Sequence, residues 1–167
     1  MSINIGWGIP ISVVGLVIVS VVGGLTVYSG VPYAVDRAAA FVDLAAATNN
    51  LTETITDLNQ TLILIEPFHG NPAWFFATVH TDFDQVRQQI QTTISAALKV
   101  IPLGPESFAY QQALKNIQSD LTTTVEGELH SISATIMWQS FGIWLVIGWA
   151  LEFILCIILF ANSDWSD

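Results

Sequence analysis

Bases are scarce in this chain. Only Arg37, Arg87, Lys99 and Lys115 stand against 14 acids in 167 residues, a formal net charge of −10. Neutralising phosphates takes clustered Lys and Arg, so nucleic acid is excluded as a partner. Charge of either sign is short as well: 11% of residues are charged, where an ordinary soluble domain carries about a quarter. That deficit, beside 52% apolar residues, excludes a wholly water-surrounded domain and points to a lipid bilayer. A single cysteine, Cys156, excludes an intramolecular disulfide, and no Cys/His spacing fits a zinc site. Also missing are a Gly-x-Ser-x-Gly elbow, a Cys/His pair and a Gly-rich phosphate loop, so neither catalytic residues nor a cofactor are expected. No Asn-Gly or Asp-Gly hairpin turn occurs, and the β-branched residues sit inside helical periodicity, so the class is all-α.

What is present begins with two long apolar runs. Residues 9–28 hold no charge over 20 positions, enough helix to cross a hydrocarbon core of about 30 Å. Residues 136–161 hold one charge, Glu152. Their Leu, Ile, Val and Phe side chains contribute about −0.3 to −0.6 kcal/mol each and together outweigh the roughly 3 kcal/mol of a central carboxylate. Trp7, Tyr28, Tyr33, Trp138 and Trp165 frame the runs as interfacial aromatics do. The first run lacks the basic flank and short apolar core of a signal peptide and reads as a retained anchor. The expected order is a tail (1–8), a transmembrane helix (9–29), an extramembrane segment (30–135), a second transmembrane helix (136–161) and a tail (162–167). Both termini then share one side of the membrane. Two sequons, Asn50-Leu51-Thr52 and Asn59-Gln60-Thr61, suit an exterior middle segment and interior termini.

The middle segment carries three stripes at 3/4 spacing. The first is Phe41, Leu44, Thr48, Leu51, Ile55, Leu58, Leu62 and Ile65, ended by Glu66-Pro67 and the turn His69-Gly70-Asn71-Pro72. The second is Phe76, Val79, Phe83, Val86, Ile90, Thr93, Ala97 and Val100, ended by Pro102-Leu103-Gly104-Pro105. The third is Tyr110, Leu114, Ile117, Leu121, Val125, Leu129, Ile132 and Ile136, which runs into the second apolar segment with spacings of four that drift from a strict heptad. Three full helices would end far from the membrane that the third must enter, so one folds over. Asn49-Asn50 (Asn50 with Glu53) and Thr81-Asp82 (Asp82 with Gln85) have capping-box spacing, and a break at either gives an even number of rods. The expected fold is an all-α membrane protein: two antiparallel transmembrane helices flanking an extramembrane antiparallel, coiled-coil-like bundle of three or four helices.

Glu152 is the sharpest single feature, because an ionisable group within a span is functional by default. It reads foremost as an assembly residue and alternatively as a proton or ion site. Gly8 with Ser12, and Ser20 with Gly24, form a small-residue face of the kind that lets helices approach closely. Trp138, Leu145 and Glu152 lie seven apart, with Trp149 and Cys156 flanking the carboxylate, and suggest a protein-facing stripe in which Cys156 is an inert apolar residue. Trp74, Phe75 and Phe76 cannot all enter one core, and they read as a partner contact or a cap on the bundle. Glu126/His130 and the His80, Asp82, Asp84 group lack the Glu-x-x-His pattern of metal-binding bundles, so no metal is expected.

Between residues 30 and 136, 11 acids face 4 bases, a self-repelling surface that a saline environment would screen. The role expected is therefore non-enzymatic: a structural or assembly protein, forming homo- or hetero-oligomers with other membrane proteins, of which a viral envelope or capsid-associated membrane protein is one form. A ligand-sensing module signalling through a partner, or an ion- or proton-conducting subunit centred on Glu152, are the alternatives.

Overall fold

Pro32, Asn50, Asp82 and Ser107 each open a helix, and each does so by a local device. The structure, a computed structural model, describes residues 8–73 and 77–161. Among these, every regular element is helical. Helix α1 is Gly8–Tyr28, and α2 is Val31–Ala47, with Pro32 in its first turn, where a missing N–H costs nothing. Helix α3, Leu51–Ile65, is capped by the Asn50 side chain, which accepts from the Thr52 N–H at 2.9 Å. Helix α4, Phe83–Val100, is capped by Asp82, which accepts from Asp84 N–H at 2.8 Å. Helix α5, Phe108–Asp120, is capped by Ser107 Oγ, and a π turn, Leu121–Val125, leads without interruption into α6, Glu126–Ala161. The chain divides into two compact units. One holds the residues up to Tyr28 and from Met137 on, and the other is Ser29–Ile136.

Within Ser29–Ile136 the helices share one apolar core. On α4 and α5 its members are those of the expected stripes: Phe83, Val86, Ile90 and Ala97, then Tyr110, Leu114 and Ile117. The second stripe is shorter than expected, however. Val79 lies exposed in a 3-10 turn, Val79–Thr81, so α4 begins at Phe83 behind the Asp82 cap rather than being broken there. The first stripe needs a larger correction. On α2 the buried side is Val35, Ala38, Ala39, Val42 and Ala45, whereas Leu44 is 55% exposed. Heptad phase across Thr48–Asn50 was a coincidence of spacing, because the chain turns there and each helix sets its own face.

Alanine on that face has a structural purpose. The fully buried Thr54 Oγ1 shares its proton between Asn50 O (3.2 Å) and Ala45 O across the helix pair (3.3 Å), and the fully buried Thr61 Oγ1 between Asp57 O (3.2 Å) and Ala38 O (3.2 Å). These two bridges, seven residues apart on both helices, fix an antiparallel register and bring the α2 and α3 backbones close, which only a small side chain at Ala38 and Ala45 permits. The sequon residues thus have work inside the fold: Asn50 caps α3 and Thr61 is buried in the bridge.

The third stripe alternates spacings of four and three except once, at Leu121 to Val125, where four stands in place of three. An uninterrupted α-helix would carry every later apolar residue off the core by one position. The π turn sits at that point, and its i→i+5 hydrogen bonding holds the extra residue. Leu121, Val125, Leu129 and Ile132 are all fully buried as a result.

The two ends of the unit are tied differently. At the α2–α3 turn, Leu51 N–H donates to the buried Tyr110 Oη at 2.9 Å and Gln118 Nε2 donates to Thr48 O at 2.8 Å. Tyr110→Phe leaves the Leu51 N–H buried without an acceptor, and urea unfolding should show a loss of about 1–3 kcal/mol. At the other end, Asp84 accepts from Gly70 N–H at 2.9 Å and pairs with Arg87, with His69 Nδ1 at 3.6 Å. Arg87 Nη2 in turn donates to Ile65 O, which also accepts the Phe68 N–H, and to Phe68 O in the turn after α3. The Gly70 hydrogen bond, followed by Arg87 and His69, holds the Asp84 carboxyl below its usual range. A lowered pKa means stability present above the ordinary Asp value and lost as pH falls through the lowered one. Acid loosening of the α3–α4 connection is therefore expected only below the usual carboxylate range, and Asp84→Asn should remove that part of the pH profile, read by amide exchange at Gly70.

Among the described residues one helical stretch, Phe108–Ile154, which runs from the Ser29–Ile136 unit into the other, is long and apolar enough to cross a membrane by length and composition, and its most apolar part is nowhere buried. The described apolar stretch of α1, Val14–Leu25, is shorter than a full span.

Candidate functional site

On the first turns of α6, residues three and four apart from Val125 fall on its core side, so Glu128 and Leu129 are both carried inward. Glu128 is only 3% exposed. Its Oε1 meets His80 Nδ1 at 3.0 Å and accepts from Gln89 Nε2 of α4 at 3.4 Å. Its Oε2, like Gln89 Oε1, is buried with no hydrogen-bond partner. His80 is largely exposed, so the imidazole is the polar link between this carboxylate and solvent. With Nδ1 protonated, His80 donates to Oε1, and a protonated imidazole adds charge to that bond. Glu128 Oε2 and Gln89 Oε1 are both acceptors that a hydrogen-bond donor would satisfy.

The remaining titratable groups disperse. Asp82 caps α4, Asp84 binds Gly70 and Arg87, and Glu126 pairs with His130 at 3.7 Å along one face of α6. Among the described residues no three His, Cys, Asp or Glu side chains gather as metal ligands would.

The sequence-derived membrane residues are only partly brought together. Gly24 meets the ring of Phe141 on α6, where an added Cβ would lie 3.4 Å from Cε2. Ser20 shares the half-buried side of α1 with Leu16, Gly23, Gly24 and Val27, and Gly8 opens that helix. On α6, Phe141, Leu145, Gly148 and Glu152 are half-buried along one side. Leu145 and Glu152 of the expected Trp138–Leu145–Glu152 stripe lie on that side, whereas Trp138 (80% exposed) and the flanking Trp149 (65%) do not. Trp74, Phe75 and Phe76, and the side chains of Ser12 and Cys156, lie outside the described residues.

Glu128 was not singled out from sequence, because the a/d seam of the third stripe passes through Val125, Leu129 and Ile132. The available signal was its place three after Val125 and four before Ile132, inside the wider face that a packed helix presents. Compared with protein-family models, with curated proteins and with solved structures, the chain matches none, so its function is to be read from its own residues.

Proposed function

We propose that the chain is a non-enzymatic structural or assembly protein of membranes, with α1 and the second half of α6 as two antiparallel spans and Ser29–Ile136 as an extramembrane helical bundle. The observation that carries this reading is the surface of α6 beyond Ile136. Trp138, Trp144, Val146, Trp149, Leu151 and Phe153 are all exposed on one helix, an apolar area that water does not tolerate and that lipid or other spans would cover. The Gly24–Phe141 approach supports pairing of α1 with α6, a small residue on one helix receiving a ring of the other. Carried along both helices from that contact, the half-buried side of α6 extends to Glu152. A carboxyl there is satisfied by hydrogen bonding to a neighbouring span, and this makes it the assembly residue. Both termini face the interior and the bundle the exterior.

Cross-linking of the full chain in its membrane tests the assembly role. Wild type and Glu152→Gln should give the same oligomer or co-purifying partner, since a neutral amide keeps the hydrogen bond, while Glu152→Leu should cut its yield about tenfold or more. A monomer with no partner contradicts the proposal. Proton flux that falls in Glu152→Gln while the oligomer persists would transfer Glu152 to the conducting role.

A further inference from the structure

Among the described residues Glu128 is the one buried acid, and no Lys or Arg pairs with it. Arg87 is engaged by Asp84 and by the carbonyls of Ile65 and Phe68, Arg37 lies over the Tyr33 ring, and Lys99 and Lys115 are exposed on α4 and α5. A carboxylate taken out of water without a counter-charge is strongly disfavoured. Hydrogen bonding does little to offset this. His80 Nδ1 reaches Oε1 at 3.0 Å, but the contact from Gln89 Nε2 to the same oxygen, at 3.4 Å, is longer than the roughly 2.7–3.2 Å of a good N–H···O bond. Glu128 Oε2 and Gln89 Oε1 have no partner. Of these three oxygens on two touching side chains, only Glu128 Oε1 has a good donor.

The spacing fits a different occupant. Donor atoms bound at about 2.0–2.2 Å to a first-row divalent ion lie about 3.0 Å apart at the edge of an octahedron and about 3.4 Å apart at that of a tetrahedron. His80 Nδ1 and the amide of Gln89 stand at 3.0 and 3.4 Å from Glu128 Oε1. A half-turn of the Gln89 amide exchanges its nitrogen and oxygen, which puts Oε1 where Nε2 stands. An imidazole nitrogen, a carboxylate and an amide oxygen are then gathered from three elements: the 3-10 turn Val79–Thr81, α4 and α6. Because the third donor is an amide, no group of three His, Cys, Asp or Glu marks the place among the described residues.

We propose that His80, Gln89 and Glu128 bind one first-row divalent transition ion, of the Zn²⁺ or Co²⁺ kind. The imidazole selects such an ion over Ca²⁺ and Mg²⁺, which take oxygen sets. The cation offsets the charge of Glu128 and gives both unpartnered oxygens a partner, which a water molecule does without the charge. His80 is largely exposed, so the ion has an entry path and water can complete its coordination. The chain's net charge of −10 raises the concentration of divalent ions around it. Glu128 is 48 residues from His80 and 39 from Gln89 along the chain, so the ion ties together parts that only folding brings near, and its binding adds to the stability of the fold. All three residues lie within Ser29–Ile136, and the site is independent of how that unit meets the membrane.

The test uses the full chain without a histidine tag, in detergent, freed of metal by chelation and titrated calorimetrically with Zn²⁺ in excess Mg²⁺, which occupies weak acidic surface sites. One ion per chain is expected, with Kd at or below about 10 μM and a thermal midpoint raised by about 5 °C or more at roughly one hundred times Kd. His80→Ala, at an exposed position whose exchange leaves the fold intact, and Glu128→Gln should each weaken binding about tenfold or more, and Gln89→Leu about fivefold. His69→Ala and His130→Ala should leave it unchanged. Co²⁺ in place of Zn²⁺ should give a visible absorption band that His80→Ala alters. Absence of binding overturns the proposal and leaves the two oxygens to water or a proton. Binding that survives both His80→Ala and Glu128→Gln also overturns it, as an adventitious surface site.

Discussion

Deletion of Thr123 leaves the helical unit folded, whereas deletion of Gln88 unfolds it. Ordinarily one residue removed from a helix turns everything beyond it by about 100°. In α4, losing Gln88 forces a choice: either Ile90, Thr93 and Ala97 leave the core, or Phe83 and Val86 do. Each lost large side chain costs roughly 2–5 kcal/mol, against a whole stability of about 5–15 kcal/mol. Thr123 is exposed and lies in the π turn that accommodates the one surplus residue. Without it the stripe from Tyr110 to Ile136 becomes a strict alternation of four and three, and an ordinary α turn suffices. Thermal unfolding of the full chain in detergent, followed by circular dichroism, should place the Thr123 deletion within about 1 kcal/mol of wild type. Equal damage from both deletions would mean that the π turn is not what keeps Val125, Leu129 and Ile132 buried.

Ala38→Leu and Ala45→Leu should each cost about 3 kcal/mol or more, at the upper end of what overpacking does. Both alanines are fully exposed to their neighbour helix and not to water, and their carbonyls receive the Thr61 and Thr54 hydroxyls. A leucine pushes α3 away; each hydroxyl keeps the carbonyl four residues before it, so the cost is chiefly the clash and the lost helix–helix packing. The sites are two helical turns apart, so the effects should nearly add, and the double variant should have no folded Ser29–Ile136 unit. Ala40→Leu, on the exposed side of α2, should change stability by less than about 0.5 kcal/mol in the same urea titration.

Large apolar side chains made most of this fold legible in advance. Phe83 to Ala97 and Tyr110 to Ile132 could be traced because Phe, Ile, Leu and Val mark a buried face strongly, and Asn50 and Asp82 could be read as helix starts because a capping side chain is local chemistry. The α2 face was not legible for the converse reason. Its purpose is close approach, so it is built of alanine, which carries little hydropathy signal, while the more conspicuous Phe41 and Leu44 lie half-buried and exposed. The surplus residue at Leu121–Val125 was visible as drift in the spacing, but which backbone turn would hold it was not. Glu128 escaped because a carboxylate beside an apolar seam is ordinarily solvated, and only the fold brings His80 and Gln89 to it as partners. On α6, Leu145 and Glu152 of the seven-residue stripe lie half-buried while Trp138 and Trp149 are exposed, a difference that spacing alone does not reveal.

The most direct measurement is the sidedness of the two ends and of the helical unit in one preparation. Epitope tags at Met1 and Asp167 and single cysteines at exposed sites of the helical unit, such as Ser119 in a Cys156→Ala background, can be probed with protease and impermeant maleimide on sealed vesicles. Both tags on one side and Ser119→Cys on the other is the result expected for two crossings. Tags on opposite sides, or a chain released from the vesicles by alkaline carbonate, would contradict it.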